Sequence, residues 1–119
     1  MDITLISGEG YEIRYEPVTA TIEFHGSLRL LGASRYNAII ELLENILAQH
    51  PKKIIINLRK LAFLNSSGIN ALSKFIIKVR DQRSSELLVL GAAKFTWQSK
   101  SLRNLQRLMP GLQLEITPL

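Results

Sequence analysis

Residues Lys53 to Arg80 read KIIINLRKLAFLNSSGINALSKFIIKVR, a strand pattern, a polar turn and a helix pattern in succession. Lys53 to Leu58 is a short β-branched run bounded by polar residues, which suits a central strand covered on both faces. After Arg59 to Leu64 comes Asn65-Ser66-Ser67-Gly68, and then Ile69, Leu72, Phe75, Ile76 and Val79 recur at helical spacing. The turn therefore delivers two serines to the start of a helix, with Asn65 or Ser66 placed to cap it. Leu64 and Ile69 anchor the turn on either side, and Gly68 gives close backbone access.

Upstream, Tyr11 to Glu16 and Val18 to His25 alternate apolar and polar residues around Pro17, which predicts two short strands. Gly26 and Ser27 are expected to break that pattern. From Ser34 to Gln49, Tyr36, Ile39, Ile40, Leu43, Ile46 and Leu47 mark an amphipathic helix capped by Ser34 and closed by His50-Pro51. Downstream, Glu86 to Leu90 reads as a strand, Trp97 to Met109 as a helix stopped by Pro110-Gly111, and Leu112 to Thr117 as a last strand. The order β-β-α-β-α-β-α-β implies parallel strands with right-handed crossovers in the second half. We expect an α/β fold: a single-layer mixed sheet of about five strands, with helices mainly on one face, over residues 1–119 as one domain.

With 119 residues, 46% hydrophobic and 21% charged, the chain has the composition of a globular domain with one core. It has no cysteine, which excludes disulfides, thiolate metal sites and thiol catalysis, and is compatible with the cytoplasm. Met1 to Tyr11 lacks the basic and apolar regions of a signal peptide, and no apolar run approaches the ~20 residues that span a bilayer. The net charge of +5 is dispersed, with Glu12, Glu16, Glu23, Glu41 and Glu44 interleaved in the first half, and no base-reading motif accompanies it, so no nucleic-acid partner is expected.

Catalysis is not expected either, since there is no G-x-S-x-G elbow and the only histidines are His25 and His50. His25 reads as the end of a strand and His50 as a cation at a helix C-terminus. With aspartate only at Asp2 and Asp81, neither a metal site nor any other cofactor is implied. Lys100, Arg103 and Arg107 share one face of the third helix near Lys94, Phe95 and Trp97. That face is either a solvated surface with Trp97 against the core, or a contact for an acidic protein or anionic lipid.

Two segments carry a family resemblance. Phe63 to Arg80, FLNSSGINALSKFIIKVR, resembles the signature of the STAS family (sulphate transporters and anti-sigma-factor antagonists), in which an Asp-Ser-Ser/Thr-Gly turn opens a helix. Ile22 to Leu43, IEFHGSLRLLGASRYNAIIELL, is similar to the family's upstream strand, Gly-x-Leu turn and first helix. The resemblance implies a non-catalytic bacterial signalling protein that switches partners. The hydroxyl residue before the glycine, here Ser67 with Ser66 as alternative acceptor, would be phosphorylated by a kinase of the anti-sigma type and restored by a phosphatase. Asn65, Ser66, Ser67 and Gly68, with Gly26, Ser27 and Arg29, would form the docking surface. A phosphate of ~1.5 to 2 negative charges in that interface weakens binding by repulsion and desolvation. Two positions depart from the pattern: Asn65 replaces the acid that opens the turn, and Arg29 replaces an aspartate. A second reading is therefore a scaffold subunit of a transporter or larger signalling complex, without phosphorylation. Self-association through an exposed strand such as the first is left open.

Overall fold

A computed structural model describes residues 4–119. Asp2 lies outside the described residues. Six strands form one sheet in the order of their sequence. They are β1 (Thr4–Gly8), β2 (Tyr11–Glu16), β3 (Thr21–Leu28), β4 (Lys53–Leu64), β5 (Glu86–Ala92) and β6 (Gln113–Thr117). The helices are α1 (Asn37–Ala48), α2 (Ser66–Gln82) and α3 (Thr96–Gln106). β1, β2 and β3 pair antiparallel, and β3 through β6 pair parallel.

Because the parallel strands follow one another without reversal, right-handed crossovers place all three helices on the same face. The core lies between that face and the helices. Ile13, Ile22, Phe24, Ile54, Ile56, Leu58, Leu87 and Val89 from the sheet meet Leu43, Ile46, Leu72, Phe75, Ile76, Val79, Leu102 and Leu105, all buried. The other face carries the intervening residues, a row of which runs Arg14, Glu23, Asn57, Leu90 and Glu115 across five strands. Among the described residues, no helix is long and apolar enough to cross a membrane.

Several expected boundaries are corrected. The sheet has six strands rather than about five, because Thr4–Gly8 adds an edge strand to β2. Four of its five residues are exposed, so it carries little alternation to read. β3 does not break at Gly26-Ser27 but continues to Leu28 across a register shift. Gly26 has φ +88, and a Cβ there would lie 2.1 Å from the Gly10 carbonyl oxygen, so glycine is required where the two backbones meet. Ser34 does not cap the first helix: a 3-10 turn, Ala33–Tyr36, precedes α1, and Tyr36 at the capping position makes no side-chain cap bond. β4 extends to Leu64 rather than Leu58, since two register shifts against β3 absorb the extra residues. The third helix ends at Gln106, followed by turn bonds from Arg107, Leu108 and Met109, so the expected end at Met109 is also revised.

Candidate functional site

The end of β4 and the start of α2 build the site from beneath. Leu64 is buried opposite Leu28, and the Asn65 N–H donates to the Leu28 carbonyl at 3.2 Å. Asn65 is then the N-cap of α2, with extended backbone (φ −81, ψ 176). Its Oδ1 accepts from the Gly68 N–H at 3.0 Å and from the Tyr36 hydroxyl at 2.6 Å, while its Nδ2 donates to the Leu30 carbonyl at 2.8 Å. A backbone N–H only donates and a carbonyl only accepts, so these partners fix the orientation of the amide. An aspartate would turn an oxygen, not a donor, toward Leu30. The amide at position 65 is thus matched to this chain's own loop.

Gly68 lies in helical backbone and is buried. A Cβ there would come within 2.2 Å of Leu64 Cδ1 and 2.8 Å of the Tyr36 hydroxyl. Glycine lets the first turn of α2 close down on Leu64 and Tyr36, rather than opening access from outside. Burial raises the pKa of the Tyr36 phenol, keeping it a neutral donor to the cap. On the outer side, Ser66 is exposed and Ser67 half-buried, and neither hydroxyl has a hydrogen-bond partner among the described residues. The first turn of α2 contains no acidic residue. The helix N-terminus therefore presents partial positive charge around two uncommitted hydroxyls.

The upstream loop meets this turn. Leu30, whose carbonyl receives Asn65, follows Arg29, and the Arg29 guanidinium lies 4.7 Å from the centre of the Phe63 ring. Phe63 is 37% exposed and Leu31 83%, so the rim of the turn carries apolar side chains beside a cation. Of the expected site residues, Asn65, Ser66, Ser67, Gly68 and Arg29 come together at this rim. Gly26 and Ser27 lie further back in β3, where Ser27 N–H bonds the Gly10 carbonyl. The sequence reading missed Tyr36, Phe63 and Leu31 as parts of the site. Tyr36 fitted the helix periodicity, so its hydroxyl drew no attention. The adjacent Leu30-Leu31 pair before Gly32 did signal an outward apolar residue.

The remaining candidates fall elsewhere. His25 stands within β3, with Nε2 2.5 Å from Glu23 Oε1. His50, just beyond α1, has Nδ1 2.9 Å from the Gln82 amide nitrogen and 3.1 Å from the Ser84 hydroxyl, so it ties the end of α1 to the end of α2. Trp97 packs half-buried against the core and donates to the Ala62 carbonyl at 2.9 Å, while Lys100, Arg103 and Arg107 are exposed. Among the described residues, no cluster of His, Asp or Glu could hold a metal ion.

With this geometry in place, comparisons bear on the fold. A family model described as "STAS domain" matches residues 22–106. SiaC of Pseudomonas aeruginosa superimposes with a TM-score of 0.75 at 14% identity, covering 100% of both chains. The crystal structure of the diguanylate cyclase SiaD in complex with its activator SiaC, from the same organism, gives 0.76 at 14% identity, covering 98% of this chain and 99% of the other. An anti-sigma factor antagonist from Mycobacterium paratuberculosis gives 0.60 at 17% identity, covering 94% and 84%. No curated protein sequence matches.

Proposed function

The chain belongs to the STAS domain family, and from that premise we propose that residues 1–119 act as one non-catalytic adaptor domain that binds a protein partner through the opening turn of α2. In this reading Asn65, Ser66, Ser67 and Gly68 shape the contact, and Arg29, Phe63 and Leu31 extend it. Phosphorylation of Ser67, or of Ser66 in its place, weakens docking, and a phosphatase restores it. The observation that carries the reading is the division of labour in the turn. Asn65 is bonded by Gly68, Tyr36 and Leu30 from beneath, while the hydroxyls above it are left unbonded beside exposed Phe63 and Leu31.

Two kinds of partner fit the structural neighbours. One is a kinase of the anti-sigma type, after the anti-sigma factor antagonist; the other is a diguanylate cyclase, after SiaC in complex with SiaD. Either would meet the protein in the bacterial cytoplasm. A phosphate on Ser67 would lie at the positive end of α2, where the helix favours negative charge, so its effect is expected at the interface.

A second reading, a constitutive scaffold without phosphorylation, is favoured by the Asn65 amide and by the partial burial of Ser67. Site mapping of the protein purified from its native cells separates the two, alongside Ser67→Ala and Ser67→Glu variants and recovery of partners with each. Phosphate on Ser67, with a partner recovered by Ser67→Ala and lost with Ser67→Glu, supports the switch. An unmodified chain that keeps its partners in all three forms supports the scaffold. Phe63→Ala is expected to reduce recovery in both cases, so retention of partners by that variant removes the proposed surface itself.

A further inference from the structure

The sheet opens on its helix-free face, and the opening is basic. β4 pairs with β5 only from Lys53↔Glu86 to Asn57↔Leu90; beyond Leu90, β5 keeps β6 as neighbour, through Gly91↔Ile116 and Ala92↔Thr117. At the same point β4 bulges against β3. The register moves from Glu23↔Asn57 to His25↔Lys60, so three residues of β4 answer two of β3. Asn57 stabilises the bulge by accepting the Arg59 N–H on its Oδ1 at 3.0 Å. Strict alternation would send Arg59 and Lys60 to opposite faces. The inserted residue instead keeps Lys60 opposite His25, with its Nζ 3.8 Å from Glu23, on the same face as Arg59.

Between the separated strands lies a cavity of about 290 Å³ lined by Arg59, Lys60, Ala92, Lys94, Thr117 and Pro118. Three of the six are cations, Thr117 offers a hydroxyl, and none is a carboxylate. Arg59 is steered across the gap by a 3.4 Å contact from Nε to the Gly91 carbonyl, which leaves its two terminal nitrogens uncommitted among the described residues. Lys94 Nζ sits 5.0 Å from the centre of the Phe95 ring and has no acidic partner among the described residues. Lys60 has one, Glu23, which His25 also engages. Glu115 shares this face, two residues before Thr117, but does not line the cavity. Like charges gathered around a hollow repel one another, and an anion entering it relieves that repulsion while gaining charge-assisted hydrogen bonds.

We propose that this cavity is a binding site for a small phosphate dianion, free or as the phosphate of a low-molecular-weight monoester. Its position fits, since it lies at the carboxyl ends of parallel β5 and β6 where the β4–β5 ladder has ended, so the side chains of Arg59, Lys60 and Lys94 border a gap and not a neighbouring strand. Its size fits as well, being at the lower end of small-molecule pockets and too small for a large cofactor. Arg59 supplies a fork for two oxygens, Lys60 and Lys94 supply point charges, and Thr117 donates to a third oxygen. The site is separate from the turn at Ser67 and does not depend on the function proposed for it.

The test is an amide NMR titration of the full chain carrying Ser67→Ala, which removes the proposed phosphoacceptor. Sodium phosphate, glycerol 3-phosphate and sodium chloride are added at matched ionic strength. The expected result is saturable shifts at Arg59, Lys60, Gly91 to Lys94 and Thr117 with phosphate, and only small linear drift with chloride. Tighter binding of glycerol 3-phosphate identifies a monoester as the ligand, and tighter binding of inorganic phosphate identifies the free ion. Arg59→Gln and Lys94→Gln should each weaken the apparent Kd by about tenfold. Lys94 is exposed, and its Nζ has no ion pair among the described residues, so its variant keeps the fold if Arg59→Gln does not. Non-saturable shifts, shifts centred on Lys100, Arg103 and Arg107, or an unchanged Kd in the Lys94 variant would overturn the proposal.

Discussion

The first and second parts of β4 are one strand held in two ways. From Lys53 to Asn57 it is laddered to β5, and from Ile55 onward to β3 on the other side as well. From Leu58 to Leu64 it keeps β3, but on the β5 side two side chains of α3 replace the backbone ladder. Gln98, fully buried, donates from Nε2 to the Leu58 carbonyl at 2.7 Å and the Leu61 carbonyl at 2.9 Å, and its Oε1 accepts the Ala92 N–H at 2.8 Å. Trp97 adds the bond to Ala62. A backbone ladder is available to almost any residue, whereas this clip depends on two particular side chains. The segment that delivers Phe63 and the serine turn is therefore fastened more specifically, and more breakably, than the strand that precedes it.

Removing Gln98 should strike this difference hardest. Gln98→Leu leaves two carbonyls and one N–H buried without partners, a loss of about 3 kcal/mol in urea denaturation. Amide hydrogen exchange should accelerate from Leu58 to Asn65 well before Ile54 to Asn57. If both halves speed up together, the clip is only one more core contact and the comparison fails. Asn65→Ala should cost about 2 kcal/mol, since it removes the cap and orphans the Leu30 carbonyl. Asn65→Asp should cost about half of that, because it keeps both bonds to Oδ1 and loses only the donor to Leu30. An Asn65→Asp protein as stable as the parent would break the argument that the amide is fitted to this loop.

The contrast also separates what the sequence made legible from what it hid. The parallel half of the sheet was readable because KIIINL and its neighbours carry their burial in their periodicity, and the serine turn because Asn-Ser-Ser-Gly has a known place at a helix start. Gln98 was invisible. A glutamine in a helix pattern reads as a surface residue, and its partners are backbone carbonyls of residues 37 and 40 positions away. The bulges were hidden for a related reason, since register belongs to a pair of strands and neither strand encodes it alone. β1 escaped because a short edge strand with mostly exposed side chains has no buried face to alternate with. Of the candidate site, the segment was legible, but its support from Tyr36 and Leu30 arises only when two loops meet.

Smaller perturbations refine the same picture. Trp97→Phe keeps the ring against the core and deletes one hydrogen bond to Ala62, so it should cost about 1.5 kcal/mol, with faster exchange confined to the residues around Phe63. A uniform change instead would assign Trp97 to packing alone.

The smallest effect probes the floor of the turn through pH. Tyr36 donates to Asn65 Oδ1, and Tyr36→Phe should cost about 1 kcal/mol at neutral pH. Burial raises its pKa above the ordinary 10.0, so the folded protein holds the phenol proton more tightly than the unfolded chain does. That contribution is complete below the unfolded value and is lost as pH rises through the folded one. Denaturation midpoints should thus be level on the neutral side and fall above about pH 10. Tyr15 is raised in the same direction, by burial and by the charge of Glu16, and remains in the variant. Tyr36→Phe should therefore make the alkaline fall shallower without abolishing it. If parent and variant fall in parallel, the Tyr36 proton is not what the folded turn retains, and its link to Asn65 is one of shape alone.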